Sequence, residues 1–210
     1  QIENVYLEEL DVRVYGHAYN TPHPEIRPLA GFTKDLGNSR KILVTHSVIT
    51  DGFSPYSAIS EADIERSGFD YIALGHIHSH DGLHRLGKTY YCYSGCLEGR
   101  DFGECGHKGA VFGAFTEDGV KVETRRFSNR RYEKTVLDVT GIRNPGEFAA
   151  ALTEACSGYG RDTALRITFE GVCAGTVSIT ETSVRRFVTL PYLLEIDDKT
   201  VRMLDEAELE

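Results

Sequence analysis

The clustering and alternation of apolar residues divide this chain into short elements of changing period. Residues 5–10 and 12–15 carry two brief strand patterns, the second running into Gly16-His17. The prolines of Asn20-Thr-Pro-His23-Pro then forbid regular structure and mark a loop. Residues 41–45 form an apolar, β-rich run that delivers His46, followed by a loop with a turn signal at Asp51-Gly52. Ser60 is placed to cap a helix over residues 61–67, acidic in its first turn, and Gly68 closes it. Asp70 opens the next run, Tyr71-Ile-Ala-Leu74, whose unbroken apolarity is that of a buried parallel strand. It breaks at Gly75 and presents His76 and His78.

A polar turn follows at Ser79-His80-Asp81-Gly82, with His84 close by, and residues 90–93 predict another strand ending in Ser94-Gly95. The charged, glycine-rich stretch 98–104 reads as a loop at the rim of a sheet. Residues 108–115 and 120–127 predict a β-hairpin turning at Asp118-Gly119. Beyond residue 131 the pattern changes to that of a small α+β unit. A strand over 132–139 precedes Asn144-Pro145, a cap with proline at the first helical position. Phe148, Ala149, Leu152 and Cys156 then recur at helical spacing before Gly158. Strands are expected over 163–169 and around Val177 and Leu193, and the acidic tail 205–210 reads as a frayed end.

The two apolar runs that end in histidine carry the candidate chemistry. Side chains alternate along extended chain, so His76 and His78 point the same way. A strand, helix and strand delivering His46, His76 and His78 to one carboxyl edge place them where open α/β sheets form their sites. Imidazole suits several transition metals, so these three residues are candidate metal ligands. For an isolated His-x-His, solvated loop histidines beside a core strand are the alternative. His17 and His23 read as structural or solvent-exposed residues.

Composition narrows the setting. The 210 residues, 40% hydrophobic and 26% charged, suit one good-sized soluble domain or two modest ones. No apolar run approaches the roughly 18 residues of a membrane span, so no membrane partner is expected. Five cysteines, odd in number and without Cys-x-x-Cys spacing, fit free thiols in a reducing cytoplasm. Cys96, Cys105 and His107 match no standard zinc spacing. A net charge of −9 advertises no basic face. A polyanion would have to be held by metal ions, by a partner, or by Arg125, Arg126, Arg130 and Arg131, which otherwise read as a solvated strand end.

The order Ile42-Leu-Val-Thr-His46, then Asp70-Tyr-Ile-Ala-Leu-Gly-His76-Ile-His78, resembles the last two metal motifs of the calcineurin-like metallophosphoesterases. Tyr93-Ser-Gly95 with Phe102-Gly-Glu104 behind it narrows the resemblance to the SbcD type of DNA-repair exonuclease. The resemblance implies an α/β fold: residues 1–130 as the carboxyl-terminal half of a four-layer metallophosphoesterase sandwich, and residues 131–210 as a small α+β capping domain. It implies a dinuclear centre, usually of manganese though other divalent ions serve, with His46 and His76 on one ion and His78 on the other. No further catalytic residue is assigned. The implied activity is hydrolysis of DNA phosphodiester bonds in the cytoplasm, with an SbcC-type ATPase subunit as partner.

The family's earlier motifs are Asp-x-His, a Gly-Asp pair ending in a bridging aspartate, and Gly-Asn-His-Asp, and none occurs here. With Gln1 first, the chain is expected to be the carboxyl-terminal part of a longer protein, unable to build a complete site and inactive alone. Exposed apolar edges should then be covered by the missing amino-terminal half or by a homodimer. Two alternatives stay open: a metallophosphoesterase of nucleotides or other small phosphate esters, and a non-catalytic module that binds DNA or a partner.

Overall fold

A computed structural model of the protein describes residues 2–19, 21, 26–32 and 37–202. His23, most of the 20–24 loop and the acidic tail lie outside the described residues. The fold is mixed α/β, in two compact units: Gln1–Leu97 with Gly109–Arg126, and Glu98–Lys108 with Phe127–Glu210.

The first unit contains β1 (Glu3–Leu7), β2 (Val12–His17), β3 (Arg40–His46), β4 (Val48–Ile49), β5 (Ala58–Ile59), α1 (Glu61–Arg66), β6 (Tyr71–Gly75), β7 (His84–Leu86), β8 (Thr89–Tyr93), β9 (Gly109–Thr116) and β10 (Gly119–Arg126). Its main sheet has the order β1-β2-β3-β6-β8-β7. The four inner strands run parallel, and β1 and β7 pair antiparallel at the edges. In register, His17 lies opposite Thr45, His46 opposite Gly75, and Leu74 opposite Tyr93. The carboxyl ends of all four parallel strands therefore reach one edge together.

Strand alternation sorts the faces. Tyr15, Leu43, Ile72 and Leu74 are buried with Ile59, Phe69 and Ile64 of α1 in one core. The Ser60 hydroxyl accepts the Asp63 N–H at 3.0 Å and starts α1 as its cap. The burial of β6 alternates, so its apolar run is not buried on both faces: Tyr71 and Ala73 are only half-buried. Val5 and Val44 stay exposed, at 63% and 49%. With Val14, Gly16 and Ala18 they line a cavity of about 720 Å³.

Three local expectations are corrected here. Residues 8–10 leave the first strand for a 3-10 turn, closed by Asp11 at a φ of 49°. β7 and the β4–β5 pair occupy stretches that read as turns and loops, because two or three residues are too few to show a period. The hairpin β9–β10 does form, in register from Gly109↔Arg126 to Thr116↔Gly119.

The second unit contains β11 (Arg131–Asp138), α2 (Pro145–Cys156), β12 (Thr163–Glu170), β13 (Val172–Cys173), α3 (Glu181–Arg185), β14 (Leu193–Asp198) and β15 (Val201–Arg202). β12 is the centre of a parallel sheet ordered β11-β12-β14. Its Leu165, Ile167 and Phe169 are fully buried against Phe148, Leu152 and Cys156 of α2. Asn144 caps α2 by accepting from Gly146 and Glu147 N–H at 3.0 Å each. Val177 is not in a strand: it follows a turn, its N–H bonded to the Ala174 carbonyl, and drops its side chain into the core. α3 went unsignalled in the sequence and begins with a Thr180–Ser183 capping box. The segment 98–108 joins this unit through the Glu98 carboxylate, which accepts from Asn129 and Arg130 N–H, and through Gly106 N–H to Tyr132 O.

All five cysteines are free thiols. Cys92, Cys156 and Cys173 are buried, and burial pushes the Cys156 thiol up to about 11. Among the described residues no helix is long and apolar enough to cross a membrane.

Candidate metal centre

The strand ends build this site. β3 presents His46 opposite Gly75, and the ladder continues one step further with Ser47 N–H donating to the Gly75 carbonyl at 3.3 Å. Two backbone features then bring the rings together. Gly75 has no Cβ, and one placed there would lie 3.0 Å from His46 Nδ1. The next residue, His76, has a φ of 113°, a region that L residues with side chains rarely occupy. A non-glycine residue held there costs about 1–3 kcal/mol, and such strain concentrates at functional sites.

The result is a close imidazole pair. His76 Nδ1 stands 3.3 Å from His46 Nε2, with ring centroids 5.3 Å apart and planes at 87°. Without an ion, one proton between the two nitrogens makes this a hydrogen bond. Two nitrogens on one ion at about 2.0–2.1 Å stand about 2.8–3.0 Å apart at octahedral and about 3.3–3.4 Å at tetrahedral angles, so the spacing also suits a shared ion. Partial desolvation, then the neighbouring His76 and His78, lower the His46 pKa. His46 keeps a solvent-exposed edge, so the desolvation is incomplete. Both causes act in the same direction and favour the neutral ring that ligation needs. Tyr19 packs edge-on to His46 at 5.2 Å, and Tyr56 lies against His76 at 4.9 Å.

His78 does not complete a cluster with this pair. Among the described residues no group of three or more His, Cys, Asp or Glu gathers closely enough to hold a metal ion. The donor chemistry of His46 and His76 fits a divalent ion, but two ligands fall short of a full coordination shell. His80, His84, His107 and the cysteine candidates are engaged elsewhere. His80 Nδ1 donates to the Tyr93 carbonyl at 2.8 Å, which places its proton on that nitrogen. His84 Nε2 donates to Asp81 at 3.1 Å. Cys96 Sγ reaches the His78 carbonyl, Cys105 Sγ the Phe102 carbonyl, and His107 accepts from Arg131. The arginines are likewise occupied: Arg125 on Glu123 and the Phe112 ring, Arg130 on the Tyr192 ring, Arg131 near Glu133 and Asp162.

Sequence reasoning did not single out Tyr19 and left His17 as an ordinary structural residue. His17 is only 9% exposed, and its Nδ1 has no hydrogen-bond partner among the described residues. Burial lowers the His17 pKa and raises that of Tyr19, keeping both groups neutral. Only the alternation that puts His17 on the face of Tyr15 hinted at this.

Gly75→Ala tests the close approach directly. The new Cβ must displace the His46 ring by a few tenths of an ångström, at a backbone position that carries no φ penalty. We expect divalent-ion affinity to fall ~10-fold, as for loss of an orienting contact. Stability measured by denaturant should move by less than about 1 kcal/mol.

No family model matches the chain. Over 133 residues, 62% of its length, it is 28% identical to the uncharacterized metallophosphoesterase YhaO of Bacillus subtilis (strain 168). The match spans 32% of that relative, so the chain corresponds to about a third of the length of the protein it resembles.

Proposed function

We propose that this chain carries the histidine side of a dinuclear metallophosphoesterase centre of the SbcD-like exonuclease type, acting on DNA phosphodiester bonds. The observation that carries the reading is the His46–His76 pair, held at 3.3 Å by a glycine and a strained backbone. The metallophosphoesterase similarity supports it from a separate direction. In this reading His46 and His76 hold one ion and His78 contributes to a second, manganese being the expected metal. Bound ions would orient the scissile phosphate, generate a hydroxide near neutral pH and offset charge on the attacking and leaving oxygens.

Among the described residues the histidine pair supplies directional donors, and no carboxylate gathers with it to bridge two ions. We therefore place the remaining ligands on an amino-terminal half of the same protein. The exposed apolar face around Val5, Val14 and Val44 is the surface on which that half, or failing it a second copy, would pack. The first unit is then one part of a four-layer sandwich and the second a capping domain. An SbcC-type ATPase would help hold DNA for so acidic a chain, in the cytoplasm.

The test is a Mn²⁺ titration of the 210-residue chain beside His76→Ala, followed by assays on a DNA duplex end and on a small phosphodiester. Weak, His76-dependent binding without turnover is expected of the chain alone. DNA cleavage is expected once the complementary half is supplied. Metal uptake that ignores His76 would overturn the reading. Cleavage of the small ester alone would move the substrate to nucleotides or related compounds. DNA binding that persists without metal in the triple alanine variant of His46, His76 and His78 would make the chain a non-catalytic module. Two-metal binding with turnover by the chain alone would send the search for carboxylates to Asp51, Asp81 and Asp101.

A further inference from the structure

His46 closes β3 and His76–His78 follow β6, and their mutual distance depends on what ties the loops beyond those two strands together. One residue reaches both. The Tyr93 hydroxyl donates to the Ser47 carbonyl at 3.1 Å and accepts from Ile49 N–H at 3.0 Å, just beyond His46. The backbone of the same residue is bound to the loop beyond His78. Its N–H donates to Asp81 Oδ1 at 3.0 Å, and its carbonyl accepts from His80 Nδ1 at 2.8 Å. The second carboxylate oxygen of Asp81 accepts from His84, which fixes the anchor.

The surroundings make this tie stiff. Tyr93 is the last residue of β8, paired with Leu74 in the strand that leads into Gly75-His76, and only 6% of it is exposed. Gly95 follows at a φ of 76°, and a Cβ there would lie 3.1 Å from His80 N, so the chain can close tightly over the second loop. On the first loop, buried Ser47 Oγ bonds to Thr45 Oγ1 at 2.9 Å and to Ser57 Oγ at 3.0 Å. With Ser47 turned inward, the alternation of extended chain turns His46 outward toward His76.

We propose that Tyr93 is a positioning residue of this centre: it sets the spacing between the His46 loop and the His76–His78 loop, so that the two imidazoles stand at ligating distance before an ion arrives. Groups that orient metal ligands from behind commonly change affinity 10–100-fold when removed. Pre-organisation of this kind needs rigid elements, and a strand end supplies one. The metal half of the assignment rests on reading His46 and His76 as ligands; the mechanical half does not.

Tyr93→Phe keeps the ring and removes the hydroxyl. Tyr71→Phe is the control, because it also removes a largely buried tyrosine hydroxyl, bonded to Cys92 Sγ at 2.9 Å, with no hydrogen bond to either loop. Two quantities are read on the 210-residue chain: amide exchange of Ile49 without metal, and Mn²⁺ affinity. Tyr93→Phe should speed Ile49 exchange ~10-fold or more beyond any change in global stability and weaken Mn²⁺ binding ~10–100-fold. Tyr71→Phe should do neither. If the two variants behave alike in both readings, the proposal is overturned. If the wild-type chain binds no Mn²⁺ through His76, the ligand reading fails, and Ile49 exchange alone decides the role of Tyr93. Should Tyr93→Phe not fold, His80→Ala releases the backbone end of the same tie. It should weaken Mn²⁺ binding in the same direction, and unchanged affinity there overturns the proposal.

Discussion

His76→Ala should weaken Mn²⁺ or Zn²⁺ binding by ~100-fold or more, above the roughly 10–100-fold range seen for outer-sphere partners, because it removes one of two converging imidazoles. It should leave folding almost unchanged, since the ring sits at the sheet edge and fills no core. His76→Gly is the more informative companion. At a φ of 113° glycine escapes most of the steric cost that histidine bears, although it is more flexible in the unfolded chain. The net expectation is a gain of about 1 kcal/mol over His76→Ala in denaturant unfolding, with metal binding lost in both. That combination, higher stability with lost ligation, is what a backbone strained for function predicts. Equal stability of the two variants would mean that the unusual φ stores no strain, and metal binding retained in either would remove His76 from the site.

Phe169→Ala is expected to cost about 3–5 kcal/mol, the largest stability loss among the changes considered, and to unfold much of the second unit. Phe169 is fully buried on β12 and tilts against Phe148 of α2 with ring centroids 5.8 Å apart. Its removal opens a void between the central strand and the only long helix described in that unit. Against native stabilities of roughly 5–15 kcal/mol, such a loss is a large fraction of the total. Val136→Ala, on neighbouring β11 but 58% exposed, should cost less than about 1 kcal/mol. Denaturant midpoints of the two variants measure the contrast. A Phe169→Ala variant as stable as Val136→Ala would mean that β12 is not the centre of this core.

Elements with strong local signals were legible from sequence. Asn144-Pro145 marked the start of α2 because an Asx cap and a proline at the first helical turn act within four residues. Asp118-Gly119 marked the hairpin because a tight turn needs residues that tolerate unusual φ, and Gly119 sits at 124°. Less visible were β7, the β4–β5 pair and α3, which are held by partners distant in sequence. Val177 shows the opposite error: its apolar side chain belongs to the core, but its backbone belongs to a turn.

The candidate site divides along the same line. Sequence by itself placed His46 and His76–His78 at the ends of apolar strands, because strand pattern and strand termination are local properties of the chain. It also specified Gly75, whose missing Cβ is a fact of composition. Only the tertiary structure decided that His46 and His76 meet at 3.3 Å while His78 stands outside a common cluster. It alone disclosed that Tyr19 crowds His46, that His17 is buried with an unmatched nitrogen, and that Tyr93 ties the two loops. Those relations depend on register and on side-chain direction between strands far apart in sequence, where a shift of one residue would turn every ring to the other face.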